Sequence, residues 1–223
     1  GNVTLIGRIA ADEYAHQLIH SFQRDHIDTS QLKIDKDAKT GVAFVWVDTE
    51  GHNKCVCSLG VNARVTPQDV QSYAHLFTDS SIVMTTLEHS SQLLEEISLM
   101  ARQNNCILIV DPSSKDYSKL SPEIAGRIDI LKPNEVETEM LTGVRVETEK
   151  DAVQAIHILK EKGIRMPVIS LGSRGVVYEY KGRVTYVEGL RVNAVDTTAA
   201  GDTFIGSMAA KLSQGYSFRE SID

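Results

Sequence analysis

The run Ile107-Leu108-Ile109-Val110 contains no polar residue, and it directly follows a helical pattern over 89–104. A strand with one wet face alternates apolar and polar residues. A strand with no polar position must be covered on both faces, the situation of a parallel sheet whose crossovers are helices. The same grammar recurs along the chain. The run Val3–Ile6 precedes a helical stretch over 12–24, and a helix over 66–77 precedes the short run 81–86. Ile128–Leu131 leads into a helix from 134, and another covers 149–162. In that last segment Ala152, Val153, Ile156 and Leu159 share one face at helical spacing. Short apolar strands alternating with amphipathic helices predict an α/β fold built on a doubly wound, mostly parallel sheet.

Two stretches depart from this rhythm. Gly41–Val47 and Asn53–Leu59 flank Asp48-Thr49-Glu50-Gly51-His52 and read as a β hairpin, an insert of the kind used as a lid or dimerisation flap. Between 166 and 188, the runs 168–171, 176–180 and 184–187 read as consecutive strands joined by short glycine-containing turns. The 223 residues show no internal repeat, Pro-rich linker or low-complexity segment, so one α/β domain over 1–223 is expected, with 41–59 as its β insert. The chain starts at Gly1 and enters an apolar run at once. It stops at Asp223 inside a segment that reads as the opening of a helix. Both ends are therefore expected to be cut from a longer chain.

Composition removes several function classes. With 23 basic and 30 acidic residues the net charge is −7, which disfavours a nucleic-acid or anionic-membrane surface. No apolar run approaches the roughly 20 residues of a membrane span. Three cysteines do not suggest a disulfide framework, so a reduced, cytoplasmic compartment is expected. Cys55 and Cys57 alternate on one strand after His52, but without a second ligand pair they do not make a structural zinc site. His16 and His20, four apart on a helix, read as a solvated face.

Three segments can carry chemistry. Val195-Asp196-Thr197-Thr198-Ala199-Ala200-Gly201-Asp202 is a run of small residues that opens a helix continuing through Leu212. Uncovered backbone N–H groups at such a start cradle an anion, and an Asp beside them can take a proton from a hydroxyl. Alternatively, Asp196 or Asp202 simply caps the helix. Asn134 and Glu137 have N-x-x-E spacing after a strand. That spacing suits a hydrated Mg²⁺ with phosphates, and it equally suits a capping box. Ser170-Leu171-Gly172-Ser173-Arg174-Gly175 is either a loop along which a nucleotide approaches the backbone or a plain β turn. No P-loop pattern is present.

Taken together these segments resemble the ribokinase-like family of carbohydrate kinases. The residues carrying the resemblance are Asp196–Asp202 (the family's D-T-x-A-A-G-D signature), Lys132-Pro133-Asn134-Glu135-Val136-Glu137, Leu141-Thr142-Gly143 and Ile169–Gly175, all in the family's order. Further matches are Lys39-Thr40-Gly41-Val42-Ala43 and Gly60-Val61-Asn62-Ala63, and those over 142–147 and 161–165 favour ribose as the sugar.

The resemblance implies ATP-dependent phosphorylation of the 5-hydroxyl of D-ribose, with Asp202 as general base. Ala199, Ala200 and Gly201 would form the anion hole. Asn134 and Glu137 would face the phosphates and Mg²⁺, and residues 170–175 with Gly201 would line the nucleotide. Asp196 and Thr198 match positions that help hold an activating K⁺, and Glu88 matches a sugar-contacting Glu. The hairpin 41–59 matches part of a β lid that commonly forms a homodimer contact. Ala10-Ala11-Asp12-Glu13 stands where the family usually has Gly-Asp-Asp. The family's N-terminal strand with its sugar-binding Asp, its Gly-Gly sugar loop and its C-terminal helices fall outside the chain. Fructose, 2-keto-3-deoxygluconate or deoxyribose are the alternative sugars. A non-catalytic fragment that keeps the fold for dimerisation or ligand sensing is the alternative of another class.

Overall fold

The computed structural model describes residues 2–47, 53–80, 82–113, 116–194 and 197–222. The chain divides into two compact units, Gly1–Ala74 and His75–Asp223.

In the first unit β1 (Val3–Thr4) pairs in parallel with β3 (Ile27–Asp28), and β2 (Gly7–Ala10) with β4 (Leu32–Asp35). The crossover is α1 (Glu13–Arg24), which leaves His16 and His20 exposed. Asp12 caps this helix, its Oδ1 accepting from the Ala15 amide at 3.1 Å. The same carboxylate accepts from the Thr40 amide at 2.9 Å and the Thr40 hydroxyl at 2.7 Å, so the cap also ties down the approach to the hairpin. That hairpin is β5 (Val42–Val47) paired antiparallel with β6 (Asn53–Ser58); its expected turn, 48–52, lies outside the described residues. Its two ends approach too closely for side chains. A Cβ on Gly41 would sit 2.6 Å from the Leu59 carbonyl oxygen, and one on Gly60, at φ +53°, 2.4 Å from that of Lys39.

The helix expected over 66–77 is two helices, α2 (Pro67–Gln71) and α3 (Ala74–Asp79). Ser72 explains the break. Its hydroxyl donates to the Asp69 carbonyl at 2.6 Å, and the Tyr73 amide turns to Val70 instead. At the start of α2, Thr66 and Asp69 form a capping box. The Asp69 carboxylate is buried and takes Arg8 in two-point contact, Nε at 2.8 Å and Nη2 at 3.0 Å, with Lys33 Nζ at 2.9 Å.

In the second unit, among the described residues, six strands form one sheet in the order β12-β11-β10-β9-β8-β7. The strands β7 (Ile82–Thr86), β8 (Ile107–Asp111), β9 (Ile130–Leu131) and β10 (Met166–Ser170) run parallel. The strands β11 (Gly175–Tyr180) and β12 (Arg183–Glu188) extend the sheet as an antiparallel meander. The expected run 128–131 yields only two strand residues at β9. The Asp129 side chain takes the Leu108 amide at 2.9 Å, where a ladder would use a carbonyl.

The helices are α4 (Ser91–Gln103), α5 (Pro122–Ala125), α6 (Glu135–Thr142), α7 (Glu149–Glu161), α8 (Ala200–Ser213) and α9 (Phe218–Ile222). Ile109, Ile130, Val168, Val176 and Tyr178 face one side and form a core with Ile205, Met208 and Ala209 of α8 and Phe218 and Ile222 of α9. Tyr178 meets Phe218 edge to face at 5.6 Å. The alternate residues Leu108, Val110, Leu131, Ile169 and Val177 are equally buried, and α4 and α7 pack against β8 and β10. The absence of polar residues from β8 before Asp111 is thereby explained: both faces are covered. No described helix is long and apolar enough to cross a membrane.

Burial of Asp69 opposes its ionisation, but Arg8, Lys33 and Thr66 outweigh that cost and hold its carboxyl well below the ordinary value of 3.8. A carboxylate with a depressed folded pKa stabilises the fold fully above its unfolded pKa and loses that contribution as the pH falls toward the folded one. Asp69→Asn is expected to cost ~2–3 kcal/mol at pH 7, because Arg8 and Lys33 lose their shared counter-ion. In urea denaturation the difference from wild type should narrow as the pH is lowered below about 4. An undiminished difference at pH 3 would assign the cost to packing.

Candidate active site

Parallel strands bring their carboxyl ends to one edge of a sheet, which is where α/β folds bind ligands. Four segments follow the carboxyl ends of β7 to β10: Leu87-Glu88, Pro112-Ser113, Lys132-Pro133-Asn134 and Leu171-Gly172-Ser173-Arg174. Three of these were expected from sequence to hold site residues. Glu88 sits in the turn after β7, exposed, its amide donating to Thr86 Oγ1 at 3.3 Å.

At the start of α6 both readings of the N-x-x-E spacing coexist. The Asn134 amide donates to Glu137 Oε2 at 2.8 Å, and the Glu137 amide to Asn134 Oδ1 at 2.9 Å, a complete capping box. Glu137 Oε1 has no hydrogen-bond partner among the described residues. Burial pushes the Glu137 carboxyl above its ordinary value. The Asn134 amide pulls it back, the Asp111 charge adds to the rise, and the Lys132 ammonium opposes it. A carboxylate oxygen left over at the rim of the sheet, next to a second carboxylate, is the hard donor set that suits Mg²⁺.

Asp111 and Lys132 were assigned no role from sequence, and they occupy the centre of this edge. The register pairs Val110 with Leu131, so the next residue on each strand stands side by side. Lys132 Nζ lies 2.9 Å from Asp111 Oδ2, with both side chains almost fully buried. The available signal was a charged residue directly after each of the apolar segments Ile107–Val110 and Ile130–Leu131. Tyr117 belongs to the same cluster: burial, with the Glu137 and Asp111 charges, pushes its phenol up to about 12. Its hydroxyl is buried with no partner among the described residues.

The small-residue run opens α8 in an unusual way. The longer helices α1, α4, α6 and α7 each begin on a side chain that accepts a backbone amide. The N-cap of α8 is Ala199, at φ 59°, which can offer none. A non-glycine residue there is strained by about 1 kcal/mol. The Ala200 amide bonds the Thr197 carbonyl at 3.2 Å, while the amides of Gly201 and Asp202 meet no acceptor among the described residues. Ala199, Ala200, Gly201 and Asp202 are all exposed, and Ile205, Met208 and Ala209 anchor the helix in the core behind them. Lys132 reaches this start, since a Cβ on Gly201 would lie 3.0 Å from its Nζ. The structure therefore brings Asp202, the open amides, Lys132, Asp111 and Glu137 into one neighbourhood. Thr198 lies in the exposed turn before α8, and Asp196 lies outside the described residues.

The loop 170–175 is fixed onto the start of α6. The Ser170 amide and hydroxyl donate to the Pro133 carbonyl at 2.9 and 3.3 Å, and the Leu171 amide to that of Gly175 at 2.8 Å. Gly175 takes φ +102°, where a Cβ would stand 2.0 Å from the Val187 carbonyl oxygen, so no other residue fits. The Arg174 guanidinium donates to Glu135 and to the carbonyls of Val146 and Glu147. Its charge thus braces the loop, leaving backbone and small side chains as the surface along which a flat ligand can lie.

The family model "pfkB family carbohydrate kinase" matches residues 1–223. The chain is 33% identical over 220 residues to the ribokinase of Haemophilus influenzae, covering 99% of this chain and 71% of that protein. It is 32% identical over 213 residues to the ribokinase of Staphylococcus aureus, covering 96% and 69%. The crystal structure of the ribokinase from Thermotoga maritima superposes with a TM-score of 0.84 at 29% identity, covering 98% of this chain and 70% of that one. The chain belongs to the pfkB family of carbohydrate kinases.

Proposed function

We propose that the chain is the kinase domain of an enzyme that transfers the γ-phosphoryl group of ATP to the 5-hydroxyl of D-ribose. The observation that carries the chemistry is Asp202, exposed at the start of α8 beside two amides without an acceptor among the described residues. Its carboxylate takes the hydroxyl proton as the sugar oxygen attacks phosphorus, the bond from phosphorus to the β–γ bridging oxygen breaks, and ADP departs. Of the anion hole expected at Ala199, Ala200 and Gly201, the Ala200 amide is taken by the Thr197 carbonyl, so the amides of Gly201 and Asp202 would meet the negative charge on the transferring group. Asn134 faces the phosphates. The 170–175 loop, held open by Arg174, carries the nucleotide, and Glu88 contacts the sugar. Ribose as the substrate rests on the relatives from Haemophilus and Staphylococcus and on the segments 142–147 and 161–165.

Glu137, through Oε1, is the residue that would hold Mg²⁺, with the Asp111 charge close by. When bound, the ion neutralises phosphate charge. Potassium is the proposed activating monovalent cation, with Asp196 and Thr198 among its ligands. The hairpin β5–β6 is proposed as part of the lid and as a homodimer contact. Its strands expose Phe44 and Trp46 on one face and Val45 on the other, at 58%, 59% and 59%, and exposed two-stranded edges of this kind invite pairing with a second copy.

Asp202→Asn should lower kcat by about 10³-fold or more while leaving ATP affinity within a few-fold, measured by coupled ADP release and calorimetry. A variant with near-normal turnover overturns the assignment of the base. Glu137→Gln, which can still complete the capping box, should raise the Mg²⁺ concentration for half-maximal activity by about 10-fold. An unchanged Mg²⁺ titration reduces Glu137 to a helix cap. Trp46→Lys should shift sedimentation from dimer to monomer, and a wild-type protein that sediments as a monomer removes the dimer contact.

A further inference from the structure

Lys132 stands at an electrostatically wrong place. The start of a helix carries partial positive charge, and a cation there is disfavoured. Its ammonium is nevertheless buried at the mouth of α8, near enough to Gly201 that a methyl group in place of the glycine hydrogen would press on Nζ at 3.0 Å. An ammonium has three donors. Here one partner is present, Asp111 Oδ2 at 2.9 Å, and no other acceptor is found among the described residues. A buried charge with unused donors is costly unless something else completes it. The amides of Gly201 and Asp202 meet no acceptor among the described residues at the same place. Ammonium and amides thus converge with the same deficit, and a multiply charged oxyanion satisfies both. Asp111 holds the ammonium in position and is itself held by Ser113, which donates its amide and hydroxyl to the other carboxylate oxygen.

We propose that Lys132 is a phosphate-binding residue of this chain, oriented by Asp111 so that its free donors, together with the amides of Gly201 and Asp202, grip the terminal phosphoryl group of a polyphosphate. The inference deepens the kinase reading and rests on it for the identity of the polyphosphate as ATP. In the transfer step Lys132 keeps its proton throughout; it binds the group that moves and exchanges nothing with it. Removing the ammonium alone would strand a buried Asp111, so both charges are removed together.

Inorganic tripolyphosphate, which has neither adenine nor sugar, is the probe, with calorimetry and thermal unfolding as readouts on the full chain. Wild type should bind it. Lys132→Met/Asp111→Asn should bind it at least ~10-fold more weakly, the size of a lost charge-assisted contact, while adenosine affinity is unchanged. Lys132→Arg, which keeps the charge, should retain binding within a few-fold. In wild type labelled at the lysine side chains, the resonance assigned to Lys132 by its loss in Lys132→Arg should shift on tripolyphosphate addition. This measurement holds whether or not the double variant folds. Equal tripolyphosphate affinity in wild type and a folded double variant, no tripolyphosphate binding by wild type, or an unmoved Lys132 resonance each overturn the proposal. If affinity falls as expected while wild type phosphorylates no sugar, the phosphate site stands and the ribose reading fails.

Discussion

The parallel pairing of β7, β8, β9 and β10 is the constraint on which the second unit depends. Parallel strands cannot be joined by tight turns, so each pair needs a crossover, and the crossovers cover the sheet. That coverage excludes polar side chains from the strand interiors, as β8 shows, and pushes every polar group to the strand ends. Because the strands point one way, all their carboxyl ends meet at one edge. Glu88, Asp111, Lys132, Asn134 and the 170–175 loop therefore share an edge as a consequence of hydrogen-bond direction, before any chemistry is considered.

The helix starts at that edge are built in two contrasting ways. The start of α6 is closed: Asn134 and Glu137 satisfy each other's amides, which fixes both side chains and leaves a single Glu137 oxygen over. The start of α8 is open, because Ala199 has no side-chain acceptor and takes a strained backbone conformation. A helix with no ligand to meet gains about 1 kcal/mol from a capping side chain. Leaving it out, at a place where the core behind is firmly packed, is a local loss of stability that a bound anion would recover. The braced loop above α6 follows the same logic, with Arg174 used to hold backbone in place.

What was legible in the sequence was whatever is encoded within a few residues. The N-x-x-E spacing identified the start of α6, since a capping box needs only residues three apart. The small-residue run identified the start of α8, and uniform apolarity identified β8 as doubly covered. Ser72, whose hydroxyl splits the expected 66–77 helix, was a weaker local signal that helical periodicity concealed. Asp111 and Lys132 were not legible as a pair, because they meet only through the β8–β9 register. The Asp69–Arg8–Lys33 cluster was hidden for the same reason: three charged residues distant in sequence look like three solvated ones.

The sequence by itself determined the alternation of strand and helix, the doubly wound class, and the two helix starts that can meet phosphate and metal. Hydrophobic period, capping and glycine geometry act over single turns, so these could be read directly. The tertiary structure alone decided what stands between those helix starts. Burial turned a lysine at the end of one strand and an aspartate at the end of the next into a fixed ion pair, and strand register aimed that pair at the mouth of α8. Charge in a low-dielectric edge depends on which groups become neighbours, and only the folded chain makes them so.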